Sequence, residues 1–342
     1  MTQSYRQYFF VASLMLITQM AKRLKKLSSQ VSLIIGLLLP SIALAAYPDH
    51  PIKLVVPFAP AGAVDGIARL FSTDFGKNLG QTVIVDNRPG SGSTIGILSV
   101  IKAPPDGYTL LLGNIATASA PAMYPNSAIN LKLLQPITLI GRSAYVLVVK
   151  NDFPAQNVAE LIALLKANPA KFNYSSAGAG SAIHLAAELF KNKAGVDITH
   201  IPYKGAGPAM NALMAGDVEM MFGSVAELKS QIQAKRFRAI GVTTSTRSSA
   251  LPDVPTMIEG GVKDYDVAGW YGVYAPANLP SDVFMKLKRA AELTLKSDGI
   301  QQLLKRYAME PVQGGSKEAG DMLDAEAKRW TEVITKANIY AD

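Results

Sequence analysis

The chain has 342 residues, 49% of them hydrophobic and 18% charged. That is enough for two ordinary globular cores and too few charges for long disordered tracts. Its net charge of +8 is concentrated at one end: residues 1–45 hold Arg6, Lys22, Arg23, Lys25 and Lys26 and no acid, leaving 29 basic against 26 acidic groups beyond them. A polyanionic partner such as nucleic acid therefore finds little support. There is no cysteine, which excludes disulfides, thiolate catalysis and cysteine metal sites, and the histidines His50, His184 and His200 are too scattered to suggest a metal centre.

The N-terminus reads as an export signal. AKRLKKLSSQ is basic, VSLIIGLLLPSIALA is apolar, and Ala43-Leu44-Ala45 is a small-residue cleavage site that would leave Ala46 as the mature start. The apolar run is shorter than the ~20 residues of a spanning helix and contains Pro40. Residues 1–19 precede a signal already complete from Met20, so either translation starts at Met20 or the basic region is unusually long. A periplasmic location is expected.

After Tyr47, strands and helices alternate. IKLVVPF (52–58) is a buried strand ending at Pro60-Ala61-Gly62, followed by a helix with Ile67, Leu70, Phe71 and Phe75 at helical spacing. TVIVD (82–86) is another buried strand, Asn87–Gly92 a loop, 93–102 a helix and YTLLLGN (108–114) a third strand. The rhythm restarts at YVLVVKND (145–152), with helix 157–167, strand 171–176, helix 181–193, strand 197–203, helix 207–215, strand 218–223, helix 224–235 and strand 238–244. WYGVYAP (270–276) is a strand, and helices 281–297 and 316–338 close the chain, the last anchored by Leu323, Trp330, Val333 and Ile334. Apolar strands separated by helices predict an α/β chain with parallel, doubly covered sheets.

Loops Pro57–Asp65, Asn87–Thr94 and Ser175–His184 each run from a buried strand through Gly, Ser or Pro to a helix start. Unpaired N–H groups and the helix dipole make such starts anion sites without any lysine or arginine, and in open α/β sheets they lie where ligands bind. Gly178 and Gly180 permit close backbone approach; Ser181 either caps the helix or turns its hydroxyl to a carboxylate. His184 either faces the cleft or is a packing residue. Asp65 in a first helical turn is explained by the dipole alone, or positions water or a ligand amine. Tyr203–Pro208 repeats the strand–loop–helix design, with Lys204 solvated or paired.

Enzyme patterns fail. Gly90-x-Gly92 with Gly96 is one residue too long for a dinucleotide fingerprint, and no P-loop, G-x-S-x-G elbow or H-E-x-x-H appears. Neither a cofactor nor a metal is expected.

Taken together, YPDHPIKLVVPFAPAGAVDGIAR (47–69), VDNRPGSGSTIG (85–96), PPDGYTLLLGN (104–114), NYSSAGAGSAIHLAAELFK (173–191), HIPYKGAGPAMNALMAGDVEMMF (200–222) and WYGVYAPANLP (270–280) make residues 47–342 resemble the Bug (TctC) family of extracytoplasmic receptors for tripartite tricarboxylate transporters. The resemblance implies a type II periplasmic binding fold: two lobes, 46–146 plus 268–342 and 147–267, joined by crossovers near 145–150 and 265–272. It implies a small organic carboxylate held between Phe58, Ala61, Gly62, Ala63 and Asp65 of the first lobe and Ser176, Gly180, Ser181, His184 and Tyr203 of the second, with water commonly bridging. A monomer that serves transporter membrane subunits is the expected assembly. A secreted enzyme acting on small acids, or a sensory subunit presenting its ligand to a membrane kinase, are the alternative readings. Where the family usually has two glycines, this chain has Ala61-Gly62. Alanine there predicts a negative φ at 61, with Gly62 supplying the unusual backbone angle and the Ala61 methyl favouring a ligand with an apolar segment.

Overall fold

The computed structural model describes Met20, Lys25, residues 47–312 and residues 315–340. The chain divides into two compact units, Met1–Ala46 and Tyr47–Asp342; the expected leader, its cleavage site and nearly all of the first unit lie outside the described residues. No described helix is long and apolar enough to cross a membrane.

The second unit begins with β1 (Ile52–Val56), α1 (Ala63–Leu79), β2 (Val83–Asn87), α2 (Thr94–Ile101), β3 (Thr109–Gly113) and α3 (Ile115–Met123). β1 pairs in parallel with β2 and β3, with Leu54 opposite Val85 and Leu110. β1 and β3 are buried on both faces over most of their length, whereas β2, expected as a buried strand, is the half-exposed edge of the sheet with Ile84 48% exposed. Ile52, Leu54, Val56, Leu110 and Leu112 pack toward Ile67, Phe71 and Phe75 of α1, while Val55 and Leu111 pack toward Ile97 and Val100 of α2. Burial of each such side chain is worth about 1.5–3 kcal/mol. Leu70, expected on the same face, is instead 36% exposed. Residues 67, 71 and 75 form one i, i+4 row, and 70 falls beside it.

β4 (Leu134–Lys150) is a single 17-residue strand. Leu134–Ala144 pairs antiparallel with β9 (Ala268–Pro276), which lies between β4 and β3. From Tyr145 onward β4 pairs instead with β7 (Met220–Ser224) and β8 (Phe237–Val242). Register shifts between Pro136 and Thr138 and between Leu139 and Gly141 mark bulges, which raise local twist and redirect a strand. The second sheet continues through β5 (Asn173–Ser176) to β6 (Thr199–Pro202), all parallel from β7. Between these strands lie α4 (Val158–Ala167), α5 (Ala182–Ala194), α6 (Ala206–Ala215) and α7 (Val225–Gln233).

Each sheet thus keeps a parallel three-strand core, and the antiparallel strands β4 and β9 serve the passages between lobes. The chain returns through residues 243–267 to β9, then forms α8 (Ser281–Leu295), α9 (Asp298–Arg306), the short β10 (Met309–Glu310) on β4, and α10 (Ser316–Ala337). α10 buries Leu323, Trp330, Val333 and Ile334. It packs on α3 and β4 and reaches α5, where Lys336 Nζ donates to Asn192 Oδ1 at 2.7 Å.

Candidate ligand-binding cleft

Helix starts from both lobes converge on one cavity of about 360 Å³. The first lobe contributes Ala63 and Val64 of α1, Gly92 and Ser93 before α2, and Asn114 and Ala116 at α3. The second contributes Gly180–Ile183 at α5, Ala206 at α6 and Ser224 with Glu227 at α7. Phe58, Met123, Tyr124, Tyr145 and Tyr271 complete much of the wall. An outer chamber of about 310 Å³ shares Ala63, Ser224, Glu227 and Tyr271 with it and adds Ala61, Gly62 and Arg306. A larger groove of about 780 Å³ runs beside β2, where Ile84 and Lys77 line an outer edge with no such convergence.

The caps show why these starts face inward with free N–H groups. Asn114 accepts the Ala116 N–H at 3.0 Å while Thr117 Oγ1 accepts the Asn114 N–H at 3.3 Å, a capping box. Ser224 Oγ accepts the Glu227 N–H at 3.2 Å and donates to Glu227 Oε2 at 2.8 Å. Ser181 Oγ accepts the His184 N–H at a long 3.4 Å. α1 begins at Gly62 with no side-chain cap at all. Each cap satisfies some of the first four N–H groups and leaves others available to an anion.

Among the sequence-derived candidates, Phe58, Ala63, Gly180 and Ser181 line the inner chamber, and Ala61, Gly62 and Ala63 line the outer one. Asp65 is buried behind the wall. Its Oδ2 accepts the Ala61 N–H at 3.0 Å and the Arg69 Nε–H at 2.9 Å, and the Arg69 hydrogen bond holds its carboxyl below the usual range against the opposing effect of burial. Ser176 is also buried, accepting the Gly178 N–H at 3.1 Å with its Oγ 2.6 Å from His200 Nε2. His184 is a packing residue: 4% exposed, stacked on His200 with centroids 3.9 Å apart, its Nδ1 accepting the Gly180 N–H at 3.0 Å. Burial foremost, then His200 and Lys191, push its pKa down to about 3. Tyr203 is half-buried and its N–H donates to the Ser176 carbonyl at 3.0 Å; its side chain lines neither chamber.

The expectation for Ala61 is overturned. Ala61 has φ 69°, the left-handed region, whereas Gly62 is extended at φ −83° and ψ 173°. The Asp65 carboxylate accounts for it, because accepting the Ala61 N–H ties that peptide back over the first turn of α1.

Sequence reading missed Asn114, Met123, Tyr124, Tyr145, Ser224, Glu227 and Tyr271. Two signals were present: Asn114-x-x-Thr117 after β3 and Ser224-x-x-Glu227 after β7, the latter a capping-box pattern. The aromatic and methionine positions come together only through the packing of α3, β4 and β9.

The profile described as tripartite tricarboxylate transporter family receptor matches residues 67–339. A curated relative from Pseudomonas sp. strain P51, the UPF0065 protein in the tcbD-tcbE intergenic region, is 37% identical over 301 residues, covering 87% of this chain and 90% of its own. Among solved structures, the periplasmic binding protein BugD superposes with TM-score 0.74 at 34% identity, covering 86% of this chain and 100% of its own. R. palustris Rpa4515 with adipate superposes with TM-score 0.76 at 32% identity, with the same 86% and 100% coverage. With a profile match over most of its length and the two-lobed fold of these periplasmic binding proteins, the chain belongs to the tripartite tricarboxylate transporter receptor family.

Proposed function

We propose that this protein is a periplasmic receptor that captures a small organic carboxylate between its lobes and hands it to the membrane subunits of a tripartite tricarboxylate-type transporter, leaving the ligand chemically unchanged. One observation carries the reading: helix starts from both lobes face a single cavity, so a carboxylate there gathers N–H groups from each side and favours lobe closure. The lobes are residues 46–146 with 268–342 and residues 147–267. The ligand's carboxylate is held by backbone N–H groups at Gly62–Ala63 and Ala182–Ile183 and by the Ser181 hydroxyl, while Gly180 lets the loop pass close to it and Phe58 packs on its body. Asp65, Ser176 and His184 act from behind the wall by holding these loops in shape, and Tyr203 braces the Ser176 loop. The relative seen with adipate supports a carboxylate ligand, and family membership supports a transport role.

A thermal-shift screen of small carboxylates tests this. A ligand at a hundredfold excess over Kd stabilises the folded state by about 2.7 kcal/mol, so a true ligand raises the melting temperature clearly. That ligand should be recovered intact after long incubation. Its conversion to product would make the protein an enzyme; no shift with any carboxylate would overturn the reading.

A further inference from the structure

The inner chamber combines many N–H donors with a shortage of positive side chains. Among the described residues, no Lys, Arg or His side chain lines it, and its one charged lining residue is the acid Glu227. Glu227 lies in the first turn of α7 and already occupies that helix start, with Oε2 accepting from the Ser224 hydroxyl at 2.8 Å. The positive end of α7 is therefore countered from within the chain. Much of the remaining wall is apolar or aromatic, with Phe58, Val64, Met123, Tyr124 and Ile183 among it. Met123, carried by α3 of the first lobe, lies against the second-lobe loop: a methyl group on Gly180 would come within 2.7 Å of its Cε. A thioether thus sits beside the loop that leads into the start of α5.

This arrangement is asymmetric toward charge. One carboxylate finds helix starts. A second, desolvated in the same chamber, finds apolar wall and the like charge of Glu227, which is costly. A hydroxyl at the same place donates to Glu227 instead. We propose that the cleft selects a monocarboxylate with an apolar, ring-sized body and a hydrogen-bond donor at its far end, with Met123 packing on the body and Glu227 accepting from the donor. This rests on the receptor reading above and narrows it to a ligand class. A cavity of about 360 Å³ lies at the small end of ligand sites, which suits one ring.

Isothermal titration of the purified protein with 4-hydroxybenzoate, benzoate, adipate and citrate tests the inference, alongside Glu227→Gln, which keeps an acceptor for Ser224. For the unsubstituted protein, 4-hydroxybenzoate should bind more tightly than benzoate and at least about tenfold more tightly than adipate or citrate. Glu227→Gln should weaken 4-hydroxybenzoate by about tenfold, the loss of a hydrogen bond to a charged acceptor. It should leave benzoate near its original affinity and tighten adipate by removing a like charge. Met123→Ser should weaken both aromatic acids together, since it removes wall from the body and not from the donor. Tighter binding of adipate or citrate by the unsubstituted protein overturns the inference and leaves the carboxylate receptor standing, as does an unchanged affinity for 4-hydroxybenzoate in Glu227→Gln. Binding of none of the four acids overturns the inference, and a negative result in the wider carboxylate screen overturns the receptor reading beneath it.

Discussion

Thr243 holds Tyr145 by both of its backbone groups. The Tyr145 N–H donates to Thr243 Oγ1 at 3.0 Å, and the Thr243 N–H donates to the Tyr145 carbonyl at 3.0 Å. The same hydroxyl donates to the Val267 carbonyl at 2.6 Å, and the Val267 N–H returns to the Thr243 carbonyl at 2.8 Å. Tyr145 is where β4 leaves the first sheet for the second, and Val267 is where the chain comes back, so one fully buried threonine ties the two passages together.

Thr243→Val keeps the shape and removes the hydroxyl. It strands the Tyr145 N–H, a buried donor, and deprives the Val267 carbonyl of its shortest partner. An unsatisfied buried polar group costs about 1–3 kcal/mol, so urea unfolding should show a loss of about 2–3 kcal/mol. A loss below ~0.5 kcal/mol, the scatter of a neutral surface change, would mean that the passages are held elsewhere.

Ala61 carries a conformation that suits glycine. Left-handed backbone costs a non-glycine residue roughly 1–2 kcal/mol, partly offset by the greater unfolded-state entropy of glycine. Ala61→Gly should therefore stabilise the protein by about 0.5–1 kcal/mol, read as a rise in melting temperature. The Asp65→Asn variant should lose stability, because the carboxylate that accepts from both the Ala61 N–H and Arg69 becomes a neutral amide. A destabilised Ala61→Gly variant would show that residue 61 does not adopt this geometry in solution.

The stacked imidazoles set a pH response. Burial above all pushes His184 down to about 3 and His200 to about 4, from an ordinary value of 6.5. Both are thus neutral when folded, and the unfolded chain binds more protons below pH 6.5 than the folded one. Stability is fully present above the unfolded value and falls as pH drops from about 6.5 toward about 4. The acids whose pKa values are lowered, such as Asp65 and Asp74, lose their contribution only below the ordinary carboxylate value of 3.8, so the pH 7 to 5 interval reports on the histidines. Unfolding free energy should fall by about 1–2 kcal/mol over that interval after allowance for the partial exposure of His200, and His200→Gln should reduce the fall by about half. A flat profile in the unsubstituted protein would refute the neutral pair.

Gly180 has φ 73°, and a side chain there meets Met123 across the lobes. Gly180→Ala should cost about 1–2 kcal/mol of stability from its backbone alone and abolish the ligand-induced thermal shift. Adding Met123→Ala tests the clash: recovery of the shift identifies the contact with Met123 as the block. Full binding by Gly180→Ala would remove this loop from the site.

Much of the local plan was readable because it rests on local chemistry. β1, β3, β7 and β8 are short, largely apolar runs bounded by turn residues, and α10 announces itself through the spacing of Leu323, Trp330, Val333 and Ile334. The first half of β4 was missed because Pro136, Gly141 and Arg142 disguise it. They are tolerated where bulges already interrupt the ladder. α3 was missed because IATASAPAM has no amphipathic period and contains Pro121; it is buried on most sides and closed by Asn114 and Thr117. The helix read as 281–297 is followed by α9 across a cap at Ser297, whose Oγ accepts the Ile300 N–H at 3.3 Å.

By itself the sequence determined the strand–helix rhythm, the helix starts available to an anion and, through its motifs, the family. These follow from periodicity, capping residues and loop composition, which act over a few neighbours. Tertiary structure alone decided which residues face the ligand. Met123 reaches Gly180, Glu227 reaches a wall shared with Ala63 and Tyr271, and Asp65 turns away to hold Ala61 in a left-handed conformation. Those relations depend on how two sheets joined at Tyr145 and Val267 bring distant segments together, and no local pattern encodes the separation or angle between lobes.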